Sequence, residues 1–159
     1  MGMDRYFQTL NILFFGLVMG PAMLGAVAFV LHQTGSFDAL AGDLLDSVFG
    51  VAVPGIGLGA FYASKILFER RMPAVIARPS LDEKLEGYRT ELILKYALLE
   101  SPSLFAFVAY LLTGTMLFFA IGAAMLFFMI LVRPTREGAV MHLALSGKEA
   151  EAVLSASST

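Results

Sequence analysis

Cysteine does not occur anywhere in the chain, which excludes disulfides, thiolate metal centres and a cysteine nucleophile. Charge is scarce: 15% of the 159 residues are charged, against about 25% in soluble domains. The two histidines, His32 and His142, stand far apart at segment ends and do not suggest a metal pair. No glycine-rich phosphate loop with its lysine, no Ser-His-Asp grouping and no HExxH is present, so soluble-enzyme chemistry finds no foothold. A net charge of −2 gives no reason to expect nucleic acid. Neither a cofactor nor a metal is expected.

Apolar residues make up 58% of the sequence, and the mean hydropathy is +0.77. A bilayer core about 30 Å thick takes roughly 20 apolar residues per helix. Four stretches meet that length, at about 7–31, 48–68, 92–112 and 115–132. The first is too long for a signal-peptide core, and its end, "FVLHQTG", offers no small-residue cleavage site, so it reads as a retained span. The expected fold is all-α: an integral membrane four-helix bundle, one domain over 1–159.

Basic residues in short loops set orientation. The segment between spans one and two carries Asp38, Asp43 and Asp46 and no Lys or Arg. The central loop, 69–91, carries Arg70, Arg71, Arg78, Lys84 and Arg89, and the tail, 133–159, opens with Arg133 and Arg136. Both termini and the central loop are therefore expected in the cytoplasm, in a multi-pass protein suited to a bacterial inner membrane. "TGT" (Thr113 to Thr115) is the tight turn outside. "SLDE" (Ser80 to Glu83) has the form of a capping box that starts span three near Leu81, and "SGKE" (Ser146 to Glu149) predicts a short surface helix. The final "SASST" is expected to fray.

An internal repeat is visible. "FQTLNILFFGLVMGPAMLGAVAFVL" aligns without gaps on "YRTELILKYALLESPSLFAFVAYLL", pairing Thr9 with Thr90, Leu17 with Leu98 and Pro21 with Pro102. Spans one-two and three-four then read as duplicated helical hairpins, with "LGAF" against "IGAA" in the weaker pair. In this register Met19 faces Glu100, so only one half keeps a carboxylate.

Glu100 lies roughly 3 Å from the centre of its span. A charge there costs about 2.5–3.5 kcal/mol on insertion scales, and an ionisable group at that depth is a functional candidate by default. The neutral acid is a plausible proton carrier, set against a structural acid hydrogen-bonded to a neighbouring helix. Glu91 and Lys95, four residues apart, read as an interfacial helical pair, with Lys65 as a third interfacial anchor. In "VPGIGLGAF", Gly55, Gly57 and Gly59 suit close helix packing in lipid, and Pro54 is expected to kink the helix or end a turn.

A glycine-rich span, a basic loop with a proline and a span with a lone mid-membrane carboxylate together resemble the c-subunit proteolipid of rotary ATP synthases. "PGIGLG" (Pro54 to Gly59) is similar to that family's glycine-rich first helix. "RMP" (Arg71 to Pro73) falls where its Arg-Gln-Pro loop would, and "RTELILKYALLES" is similar to its second helix. The likeness covers about 51–113, and the four-span plan resembles the larger vacuolar-type proteolipids. It departs in Met72 for glutamine, in about nine extra residues before Arg89, and in the reversed order of the extra hairpin.

The resemblance implies an ion-binding site at Glu100 and Ser101, helix packing at Gly55, Gly57 and Gly59, and rotor docking at Arg71 and Pro73. It also implies a partner supplying an intramembrane arginine. Leu58 and Phe105 stand where sodium binders of that family offer polar groups, which favours protons. The chain itself is not expected to be an enzyme, although it could serve an ion-translocating ATPase-type complex. Besides the lipid bilayer, its expected partners are copies of itself or a larger membrane complex. Two other functions compete. One is a non-catalytic accessory or scaffold subunit, with fourteen Phe and nine Met for adaptable contacts and loop and tail as docking surfaces. The other is a small proton-coupled exporter, for which no broken helix pair marks a substrate site.

Overall fold

The computed structural model describes residues 3–36 and 43–155. Among these, every regular element is a helix: α1 (Met3–Gln33), α2 (Asp43–Ile76), α3 (Leu81–Thr113), α4 (Met116–Leu131), α5 (Arg136–His142) and α6 (Lys148–Ser155). Three of them, α1 to α3, are long and apolar enough to cross a membrane. At 33 residues α3 runs about 50 Å, well beyond a hydrocarbon core of about 30 Å. The expected fourth span is shorter than the sequence suggests. α4 has 16 residues, about 24 Å, and is followed by a 79° bend into α5. Pro134, which has no amide hydrogen to give the preceding turn, stands in that bend.

The central segment 69–91 is mostly helix rather than loop. α2 continues through Pro73 to Ile76, and only residues 77–80 separate it from α3. Pro54 likewise does not end α2. Ser80 caps α3 as the box predicts: its hydroxyl accepts from the Glu83 amide at 3.3 Å and donates to Glu83 Oε1 at 3.0 Å. The "TGT" turn also forms. Gly114 takes the left-handed conformation (φ 71°) that closes a helix, and its amide donates to the Tyr110 carbonyl at 2.8 Å. The helix expected after Ser146 is α6, which begins at Lys148 behind Gly147 at φ +54°. Asp38 and the terminal residues 156–159 lie outside the described residues.

α3 is the hub. It packs against α1, α2 and α4, whereas α1 and α2 scarcely touch. Spans one and two therefore do not form a packed hairpin like α3 and α4, which departs from two equivalent hairpins. In lipid, helices associate by close packing and by polar bonds between them rather than by burying oil from water. Both devices are present. The Phe107 ring of α3, 2% exposed, lies between Gly25 of α1 and Gly122 of α4, where a Cβ would stand 2.8 and 2.9 Å from it. Ser103 donates to the Gly122 carbonyl at 2.9 Å, and Tyr96 to the Val132 carbonyl at 2.7 Å.

Side-chain bonds fix which ends lie together. Tyr6 donates to the Leu85 carbonyl (2.6 Å), Arg136 pairs with Asp4 (2.7 Å), and Lys84 pairs with Glu149 (3.0 Å). The start of α1, the 77–80 turn, α5 and α6 thus share one end, called the tail end below. At the other end Thr115 donates to Asp46 (2.8 Å), and His32 Nε2 lies 3.1 Å from the Tyr110 and Leu111 carbonyls. Those carbonyls only accept, so Nε2 donates. A large apolar core at the tail end takes in Leu143, Leu145 and Val153 of the C-terminal segment. A smaller one around Ala28, Val53, Ala106, Tyr110 and Phe118 serves the other end.

Candidate functional site

Two places hold ionisable groups inside the helical bundle. The first is Glu100. Its helix turns it toward α1, where Gly20 leaves room: a Cβ on Gly20 would stand 3.0 Å from Glu100 Oε1. The carboxyl is half-buried, and no cation or hydrogen-bond donor among the described residues pairs with it. Its neighbour Ser101 is exposed and spends its hydroxyl on the Ala97 carbonyl of its own helix, at 2.8 Å. Successive residues diverge by about 100° around a helix, so a shared ligand for Glu100 and Ser101 has no support in this arrangement. The acid's companion is a glycine that the sequence reading passed over.

Gly55 and Gly59 of α2 are exposed, and Gly57, although buried, makes no close approach to another helix. A Cβ at Gly55, Gly57 or Gly59 would meet no atom within 4 Å. Close approaches occur instead at Gly20, Gly25, Gly87 and Gly122. Arg71 forms an ion pair with Glu91 at 3.5 Å, and Pro73 lies inside α2 rather than in a loop. Glu91 therefore pairs across helices with Arg71, not along α3 with Lys95, and its second oxygen is buried without a hydrogen-bond partner.

Lys95 occupies the second place. Rather than pointing outward to water, its ammonium lies over the Phe68 ring, 4.6 Å from the centroid. It borders a cavity of about 550 Å³ between α2, α3, α4 and α5. The walls are mostly apolar, with Phe61, Phe68, Leu99 and Phe128 among them; the polar groups are Ser64, Lys65, Glu69, Lys95 and His142. Glu69 acts on Lys95 electrostatically, but no ion pair closes between them. Ser64 is buried and donates to the Phe61 carbonyl at 2.8 Å. His142, carried by α5, lies edge-on to Phe68 and has its Nδ1 3.2 Å from the Tyr88 hydroxyl. Burial, helped by the Lys95 charge, holds the His142 imidazole below its ordinary pKa, and the Gly138 backbone opposes this.

Sequence reading missed this cavity because its residues come from four helices, and the only local hint was the lysine of the "LILKYA" run. No group of three or more His, Asp or Glu side chains that could hold a metal occurs among the described residues. The fold is that of an α-helical protein with three helices long and apolar enough to cross a membrane. Compared with protein-family models, curated proteins and solved structures, the chain matches none of them.

Proposed function

We propose that the chain is a proton-binding integral membrane subunit that works in an oligomer through Glu100. One observation carries this reading: a carboxyl in the apolar stretch of α3 stands beside Gly20 with no cation and no hydrogen-bond donor among the described residues. Such a group stays neutral in hydrocarbon and ionises only when a counter-charge arrives. The counter-charge must come from elsewhere, most simply an arginine on a partner, because the described intramembrane segments offer none near it. Leu58 and Phe105 stand where sodium binders of the resembled family offer polar groups, and Ser101 spends its hydroxyl on its own helix, which favours a proton over sodium.

In this proposal α4 completes a fourth crossing, with both termini cytoplasmic. The shared tail end of α1 and α5 supports that path. Duplication of α1 and α3 also belongs to the proposal. Val18 and Leu99, Pro21 and Pro102, and Ala28 and Ala109 are all buried in matching positions, and Thr9 and Thr90 each bond the carbonyl four residues back. The narrower likeness to c-subunit proteolipids draws support from the packed α2–α3 hairpin with its short turn. It loses support at the glycines, which do not face the acid.

A hydrophobic carbodiimide tests the proposal in reconstituted vesicles. Labelling is expected at Glu100, fading as pH rises, and absent in Glu100→Gln. A carboxyl that stays unreactive at every pH would sink it.

The accessory-subunit reading has its own observation: α2 exposes Leu44, Val51, Leu58 and Tyr62, each more than half exposed. That face, rather than the tail, is the candidate contact, because the tail is tied into the core by Leu143, Leu145 and Val153. A cell in which Glu100→Gln is silent, while bulky polar substitutions on the α2 face abolish complex assembly, would favour it.

A further inference from the structure

We propose that the cavity between α2, α3, α4 and α5 binds one anionic phospholipid, its phosphate held by Lys95 and Lys65 and its upper acyl chain lying against Phe61, Leu99 and Phe128. The proposal is independent of any role for Glu100. Three features of the site select the occupant.

The first is charge. Two ammonium groups, Lys65 and Lys95, face one carboxylate, Glu69, and His142 is held toward its neutral form, so the lining keeps one cation in excess. Lys95 has no ion pair or hydrogen bond among the described residues, only the Phe68 ring and the more distant field of Glu69. A half-buried ammonium gains from an anionic partner that the described residues do not supply. The second is shape. From Phe61 to Ile76 the lining follows α2 for about 22 Å along its axis, with Phe61, Leu99 and Phe128 at the deeper end, Lys65, Glu69 and Lys95 around the middle, and Met72, Pro73 and Ile76 nearest the tail end. A free phosphate has no use for the aromatic half, and a fatty tail alone has no use for the lysines. The third is position. Both lysines border the same cavity as His142 of α5, toward the tail-end limits of the spans read from the sequence, 48–68 and 92–112, from where long side chains can reach lipid headgroups.

The absence of tryptophan makes the test direct. Phe128→Trp places one fluorophore in the cavity wall. Phe127→Trp, at a position 62% exposed on the same helix, reports ordinary surrounding lipid. Each is reconstituted into vesicles containing increasing mole fractions of phosphatidylglycerol or phosphatidylcholine with brominated chains, which quench tryptophan on contact. At residue 128 phosphatidylglycerol is expected to quench with about fivefold higher relative affinity than phosphatidylcholine, the discrimination typical of one basic side chain at a membrane surface. Residue 127 should show no preference. Adding Lys95→Met to Phe128→Trp should abolish the preference, and adding Lys65→Gln should reduce it.

Equal quenching by the two lipids at residue 128 overturns the proposal. So does relief of quenching by millimolar inorganic phosphate, which assigns the lysines to a soluble anion. Should Phe128→Trp fail to fold, Phe61→Trp, whose ring faces Phe128 at 5.2 Å, reads the same site. If Lys95→Met fails, the lipid preference of the single-tryptophan protein decides the matter alone.

Discussion

α2 and α3 are nearly equal in length, 34 and 33 residues, and both qualify as membrane spans, yet they are used in opposite ways. In its most apolar stretch α3 has 44% of its residues buried within the protein, and α2 has 11%. α3 sends Tyr96 and Ser103 to backbone carbonyls of the α4 segment and wedges Phe107 between two glycines. α2 presents Gly55, Gly59 and a row of large apolar side chains to its surroundings. Hydropathy alone would rank α2 the more apolar span. In a membrane, however, the helix that holds the bundle together is the one with small contacts and polar bonds.

The contrast can be broken most forcefully at Phe107. Phe107→Ala should cost about 3–5 kcal/mol by opening a cavity between α1, α3 and α4, read from unfolding in detergent with increasing denaturant. Gly122→Leu attacks the same contact from the other side and should cost about 1–3 kcal/mol by overpacking. The matched change on α2, Gly59→Ala, should leave the isolated chain as stable or more stable by up to about 1 kcal/mol, since nothing stands in the way of the new methyl. If the protein acts in an oligomer whose contacts use that face, the same change lowers the assembly mass in native mass spectrometry while the monomer's unfolding is unaffected. A loss of monomer stability at Gly59 would erase the distinction between the two helices.

Smaller effects sharpen it. Tyr96→Phe strands the Val132 carbonyl, which should cost about 1–2 kcal/mol in the same unfolding assay. His142 gives a pH dependence at the tail end. Its folded pKa lies below the ordinary value of about 6.5, so its neutral form is the one the fold accommodates. The corresponding stability is complete above about 6.5 and is lost as pH falls from there through the depressed folded value. The protection of the amides of residues 139–143, with the intrinsic pH dependence of exchange divided out, should therefore fall between pH 7.5 and 5, and His142→Gln should flatten the profile. Least of all, Lys84→Gln should cost less than about 1 kcal/mol, the usual worth of a partly exposed ion pair.

Much of the backbone plan was legible. Ser80 with Glu83, and the glycine of "TGT", mark helix ends through local chemistry, and both do so here. α5 escaped notice because it has seven residues and its cap, Thr135, is followed at the third helical position by Gly138 where a capping box wants Glu or Gln. The apolar run 115–132 promised a full span, but no local signal measures that run against its neighbours, and the helix stops at Leu131. Glu100 could be found by its solitude. That it faces Gly20, that Glu91 chooses Arg71, and that Lys95 turns into a cavity all depend on how α3 is rotated against its neighbours, which no window along one helix encodes.

The ion pair between Asp4 and Arg136 joins residues 132 positions apart. During synthesis α1 is therefore complete long before Arg136 exists, and until then the Phe7 ring lacks the guanidinium that lies 4.9 Å from its centroid. The growing chain is an open basket whose base is woven last.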